Sequence, residues 1–183
     1  MTEDSVRNAA IELLERGWCA RREGKRTEAH RDVVKSIALL RQIGAHGDLA
    51  KALGMLGHIE MDMNHWEEAR AQCEEAVSIC RDHDDRLGLA HKIRHLGDVH
   101  RHTGRTDDAA TCYQEAVSLY QDHDDPHERD YANAIRPLTI VKEHLGQIDQ
   151  AKQLWTRARD LYKTANVQDG VDECSDRLAR LNR

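Results

Sequence analysis

Apolar residues return along this chain in short stripes at steps of three and four, the period of an amphipathic helix. In the stretch 86–102, Leu89, Ile93 and Leu96 fall on one helical face, while His91, His95, Asp98 and His102 gather on the opposite one. Near the end of the chain, Val171, Cys174, Leu178 and Leu181 make one stripe, the pattern of a helix that covers the apolar face of whatever precedes it. Extended through the sequence, the pattern predicts nine helices at about 4–21, 25–42, 48–62, 66–82, 86–102, 106–121, 127–145, 148–164 and 168–182. Asp125-Pro126-His127-Glu128 reads as an N-cap, a first-turn proline and a capping-box glutamate. Pro137 falls inside the seventh helix, removes one backbone hydrogen bond, and predicts a bend between Asn133 and Pro137.

The helices repeat. Glu75-Ala76-Val77-Ser78 returns as Glu115-Ala116-Val117-Ser118, Asp82-His83-Asp84-Asp85 as Asp122-His123-Asp124-Asp125, and Leu56-Gly57 as Leu96-Gly97, all at an offset of 40. Four units follow, anchored on Ala29, Ala69, Ala109 and Ala151, each near the start of the second helix of a pair. Gly17, Gly57, Gly97 and Thr139 stand twelve residues before the anchors, small where two helices must come close. Ser36, Ala76, Ala116 and Ala158 stand seven residues after them. Five residues before the anchors are Gly24, Asn64, Gly104 and Gly146, types that enter the left-handed conformation ending a helix.

This register resembles the tetratricopeptide repeat (TPR) pattern over roughly residues 5–165. Two departures stand out. The proline usual near the end of the second helix is replaced by Arg41, Arg81, Gln121 and Lys163, as in the longer repeats of kinesin light chains and bacterial peptide-sensing regulators. The aromatic usual late in the first helix is replaced by Ala20, Glu60, His100 and Lys142. The resemblance implies an all-α, right-handed α-solenoid in a single domain spanning 1–183. Its four helix pairs lie at about 10–43, 50–83, 90–123 and 132–165, with a capping helix at about 168–182. It also implies recognition of another protein or peptide without catalysis or a cofactor.

Composition sharpens this picture. With no phenylalanine and 4% aromatic residues, the core is expected to be built from Leu, Ile, Val and Ala. A net charge of -6 and the lack of a Lys/Arg block argue against nucleic acid. The five cysteines form no C-x-x-C pair, and Cys73, Cys80 and Cys112 fall at small-residue positions of second helices, which suits inert buried thiols. Glu3 and Asp4 without an apolar run exclude a signal peptide, and no spanning stretch is present, so the expected place is the cytoplasm, away from the membrane. The Asp-His-Asp-Asp tracts lack the glycine and terminal glutamate of a calcium loop.

In the fold resembled, first helices line a concave groove. The register then places Trp18 from the first unit, Lys51, His58 and Asp62 from the second, His91, Arg94, His95, Asp98, Arg101 and His102 from the third, and Arg136 and His144 from the fourth on that groove. Cations and imidazoles predominate, so an acidic peptide or partner is the expected ligand, with Arg94, Arg101 and Arg136 as anchors. A plain solvated face explains the same residues. A metal site on His91, His95, Asp98 and His102 is a second alternative, since these are ligand types for zinc or iron, although only neighbours along a helix could share an ion. Self-assembly through the uncovered N-terminal end is a third. His100 is expected to be a core histidine, Trp66 and Trp155 packing residues. Lys and Asn, required by the carboxylate clamp of chaperone-binding relatives, are replaced by residues such as Leu14, Trp18, Gly54 and His58.

Overall fold

Helix ends fall where the chain can turn left-handed. Gly24, Asn64, Gly104 and Gly146 have φ values of 76, 62, 77 and 70°, and Gly44, Asp84 and Asn166 make the same turn between pairs, at 64, 53 and 54°. After such a residue the next amide reaches back five positions: Lys25 N to Ala20 O at 2.8 Å, His65 N to Glu60 O at 2.9 Å, Val167 N to Tyr162 O at 2.9 Å. Carbonyls that a helix end would orphan are thereby satisfied by the chain itself. The computed structural model describes residues 2–182 and contains among them nine helices and no strand. These are α1 (Glu3–Arg22), α2 (Arg26–Gln42), α3 (His46–Asp62), α4 (Trp66–Asp82), α5 (Arg86–His102), α6 (Thr106–Gln121), α7 (Glu128–His144), α8 (Ile148–Thr164) and α9 (Gln168–Leu181). No helix among the described residues is long and apolar enough to cross a membrane.

One joint differs. Between α6 and α7 no residue has positive φ, and α7 starts at Glu128 with His127 in the cap position and no side-chain cap. This corrects the expected capping by Asp125. Pro126 biases the residue before it toward extended backbone, and the Asp125 amide instead donates to His123 Nδ1 at 3.1 Å. Helix α7 then continues through Pro137 to His144.

The helices fall into two compact units: the chain up to Asp85 with Asp98–Thr103, and Arg86–Gly97 with Gly104 onward, so that α5 contributes to both. In the first unit α1 packs on α2, α3 on α4 and α2 on α3, around Ala10, Val33, Ile37, Leu40, Leu53, Leu56 and Ile59. In the second unit α6 packs on α7, α7 on α8 and α8 on α9. Its core adds aromatics to aliphatics such as Ile93, Val117, Ile135 and Leu138: all four tyrosines (Tyr113, Tyr120, Tyr131 and Tyr162) and Trp155 are buried there. The Tyr120 and Tyr131 rings stack with centroids 5.8 Å apart. This corrects the expectation of a purely aliphatic core, which overall composition suggested because few aromatics are present to be noticed.

Within each pair, the small residue of the first helix meets the residue four after the anchor on the second. A Cβ placed on Gly17 would lie 2.6 Å from Val33 Cγ2, and one on Gly97 would lie 2.7 Å from Tyr113 Cε1. The fourth pair admits Thr139 here, fully buried, with its hydroxyl donating to Ile135 O at 2.8 Å.

Gly97→Ala should therefore lower stability by about 1–3 kcal/mol through overpacking against Tyr113. Gly47 lies in α3 with nothing within 4 Å of an added Cβ, and Gly47→Ala should raise stability by about 0.4–1 kcal/mol. Urea titrations of the two variants, read side by side, check this opposition of sign.

Candidate functional site

In the first unit α1 and α3 face each other through ion pairs two helical stretches apart. Arg7 meets Asp48 at 2.7 Å, and fourteen residues further along both helices Arg21 meets Asp62 at 2.6 Å. Arg21 makes the second pair bidentate, with its other nitrogen donating to Asp62 Oδ1 at 3.2 Å. Lys51 reaches Asp48 at 3.4 Å from the same side. Trp18 lies one turn before Arg21, is 44% exposed, and has the Arg21 guanidinium 6.0 Å from its ring centroid. Trp18, Lys51 and Asp62 are thus placed on adjoining faces of α1 and α3, while His58 is half-buried on α3.

Helix α5 departs from its expected arrangement. His95 is only 7% exposed, so it is not on a water-facing stripe with His91 and His102. Its ring lies edge-on to His91, with centroids 4.6 Å apart, and its Nε2 accepts a hydrogen bond from Arg94. Leu89 and Leu96, expected to be core, are half-buried, so the helix is covered on more sides than one. His91, Arg94 and His95 belong to the second unit, whereas Asp98, Arg101 and His102 belong to the first. There Arg101 donates to His102 Nε2 at 3.2 Å, and the His102 ring stacks on Trp66 at 4.8 Å. Asp98 is half-buried. Among the described residues no group of three His, Cys, Asp or Glu side chains is arranged to hold a metal ion. His100 is buried, as expected of a core histidine.

On α7, Arg136 is exposed and meets Glu173 of α9 at 3.6 Å. His144 is exposed at the end of that helix. Glu143 accepts from the indole nitrogen of the fully buried Trp155 and meets Arg177 at 3.4 Å. Arg177 in turn lies 5.7 Å over the Trp155 ring. Cys73 and Cys80 are buried as expected, and Cys112 only half so.

Two polar centres escaped the sequence reading. Glu60, 5% exposed where an aromatic residue would ordinarily sit, holds His30 Nε2 of α2 at 2.9 Å and His65 Nδ1 at 2.8 Å. Asp32, also buried, holds Arg16 of α1 at 2.7 Å and Arg31 at 3.2 Å. Asp32 lines an open cleft between α1 and α2, where Arg16, Lys25 and Arg31 mingle with Glu12, Glu15, Glu23 and Glu28. A helix-period pattern shows which face a residue occupies; it does not show a charge turned inward to a partner thirty residues away.

The sequence matches the tetratricopeptide repeat family over residues 48–122 and 89–164. No curated protein matches it. Among solved structures, aspartyl phosphate phosphatase F from Bacillus subtilis superposes with a TM-score of 0.84 at 12% identity, covering 92% of this chain and 44% of that one. The apo form of RapI superposes with a TM-score of 0.80 at 10% identity, covering 91% of this chain and 60% of that one. The chain therefore spans between two fifths and three fifths of these longer proteins. At such identities the likeness concerns the fold alone.

The carboxylates give a pH dependence. Burial pushes the Asp32 carboxyl up, but hydrogen bonds and charges from Arg31 and Arg16 outweigh it and hold it below the usual range. Asp48 behaves alike: burial raises it, and Arg7 and then Lys51 bring it below. A folded-state value below the unfolded one means that the unfolded chain takes up the proton first as acid is added. The stability from these pairs is therefore complete above about pH 5 and lost progressively below about pH 4. Urea midpoints measured from pH 7 to 3 should fall along this limb, and Asp32→Asn should start lower and fall less steeply.

Proposed function

This chain belongs to the tetratricopeptide repeat family, and on that premise we propose that it is a non-catalytic module that binds a protein or peptide. Stacked helical repeats of this kind present extended surfaces for recognition, and the fold alone does not select the ligand. The observation that supports a particular surface is Trp18. It is an exposed aromatic ring on a helix, held against Arg21, which is itself fixed by two bonds to Asp62. A ring already ordered by its neighbours loses little conformational freedom on binding, which is what favours tryptophan at interface centres.

Charge selects the class of ligand. Along the adjoining stripes of α1 and α3, Arg7, Arg21, Arg22 and Lys51 stand against Asp48 and Asp62, a positive excess in a chain whose net charge is -6. An acidic peptide with an apolar or aromatic residue for Trp18 fits this surface. Arg22 and the exposed Lys51, whose contact with Asp48 is a surface pair, supply anchoring charge on this face. The name of the Bacillus subtilis structure records a phosphatase, a property of that protein; the reading here rests on binding.

Binding of an acidic, aromatic-containing peptide in the micromolar range, near -8 kcal/mol, is expected, and it should weaken with added salt. Trp18→Ala combined with Lys51→Gln should weaken it by about tenfold or more with little change in melting temperature, since both side chains are exposed and the Lys51–Asp48 contact is a surface pair. Fluorescence anisotropy at two ionic strengths measures the effect. A peptide whose affinity ignores both substitutions would sink the assignment of this surface.

A further inference from the structure

The same register that aligns the repeats exposes a position filled in one unit and open in the other. In the first unit His30, one residue after the anchor on α2, reaches across to Glu60 on α3 at 2.9 Å. The corresponding residues in the second unit are Ala110 on α6 and Lys142 on α7. The bridging side chain is lost and the charge on the inner helix is reversed. What is left is an open cleft of about 490 Å³ between α6 and α7, with Leu138 and Val141 at its floor and Leu145 at its rim. Leu145 is 60% exposed, the most exposed large apolar side chain among the described residues. Lys142 is half-buried in the cleft wall and makes no ion pair among the described residues.

We infer that this cleft is a second interaction surface, distinct from the α1–α3 face, and that it takes an acidic amphipathic helix from a partner protein. Leu138, Val141, Lys142 and Leu145 follow one another at steps of three, one and three and so form one ridge of α7 about 10 Å long at 1.5 Å per residue, with Leu138 and Val141 nearly buried at its base and Lys142 and Leu145 reaching outward. A ridge of this kind beside α6 accepts a helix laid along it, apolar face inward. The partner's leucine or methionine covers Leu145. Its carboxylate, one helical turn away, takes the place beside Lys142 that a covalently attached histidine takes beside Glu60 in the first unit, with the signs exchanged.

The test uses the full chain and a synthetic helical peptide with Leu and Glu one turn apart, beside a control in which Lys replaces each Glu. Backbone chemical-shift changes on adding the acidic peptide should concentrate at 110–118 and 138–145, and the control should bind at least about tenfold more weakly. Lys142→Glu should reverse that preference, and Leu145→Ser should weaken the acidic peptide while leaving the melting temperature in place. Equal binding of the two peptides, or shifts confined to α1 and α3, overturns the inference while leaving the α1–α3 reading intact. Concentration-dependent dimerisation that Leu145→Ser abolishes also overturns it, because the occupant is then a second copy of the chain.

Discussion

Helix pairs here depend on a steric constraint at one point of each repeat, where the first helix must be small enough to admit the side chain four residues after the anchor of the second. Gly17 receives Val33, Gly57 receives Cys73 and Gly97 receives Tyr113, with no room for a Cβ beside the valine or the tyrosine. The incoming group is small in the first unit, valine and then cysteine, and aromatic in the second, while the receiving position stays small. Thr139 opposite Trp155 is the exception, and it is accommodated by returning its hydroxyl to the carbonyl one turn back. Everything placed on the helix surfaces inherits its register from these contacts.

Charges then fix what packing leaves loose. Arg7–Asp48 and Arg21–Asp62 tie two first helices together on the accessible side, and pairs of this exposure contribute little individually. Glu60 and Asp32 are different in kind, because a carboxylate removed from water must be met by donors or it destabilises the fold. His30, His65, Arg16 and Arg31 meet them. The cost of truncating one of these donors falls mainly on the carboxylate left behind, which makes such centres a specification of helix placement as much as a source of stability.

The repeat architecture was legible because it is written in residue types with single physical uses. Left-handed glycines and asparagines, small residues at close approaches and the 40-residue offset located α4, α5, α6 and α8 to the residue. The α6–α7 joint was misread because a proline and an aspartate admit two local solutions, and only the hydrogen bond to His123 decides between them. The candidate surface was legible only in part. Trp18 could be placed by register, but the burial of His95 could not, since helical periodicity describes one helix and burial depends on what covers its several sides. The pairing of Arg136 was not legible for the same reason: its partner Glu173 belongs to a helix nearly forty residues away.

The uneven distribution of aromatic groups has an optical consequence. Trp18 and Trp66 belong to the first unit, whereas every tyrosine, together with the fully buried Trp155, belongs to the second. Near-ultraviolet dichroism from tyrosine therefore reports on the second unit, where the rings stand on α6, α7 and α8, and quenching of accessible indole emission reports chiefly on Trp18 of α1. The chain carries, without labels, separate spectroscopic readouts for its two halves.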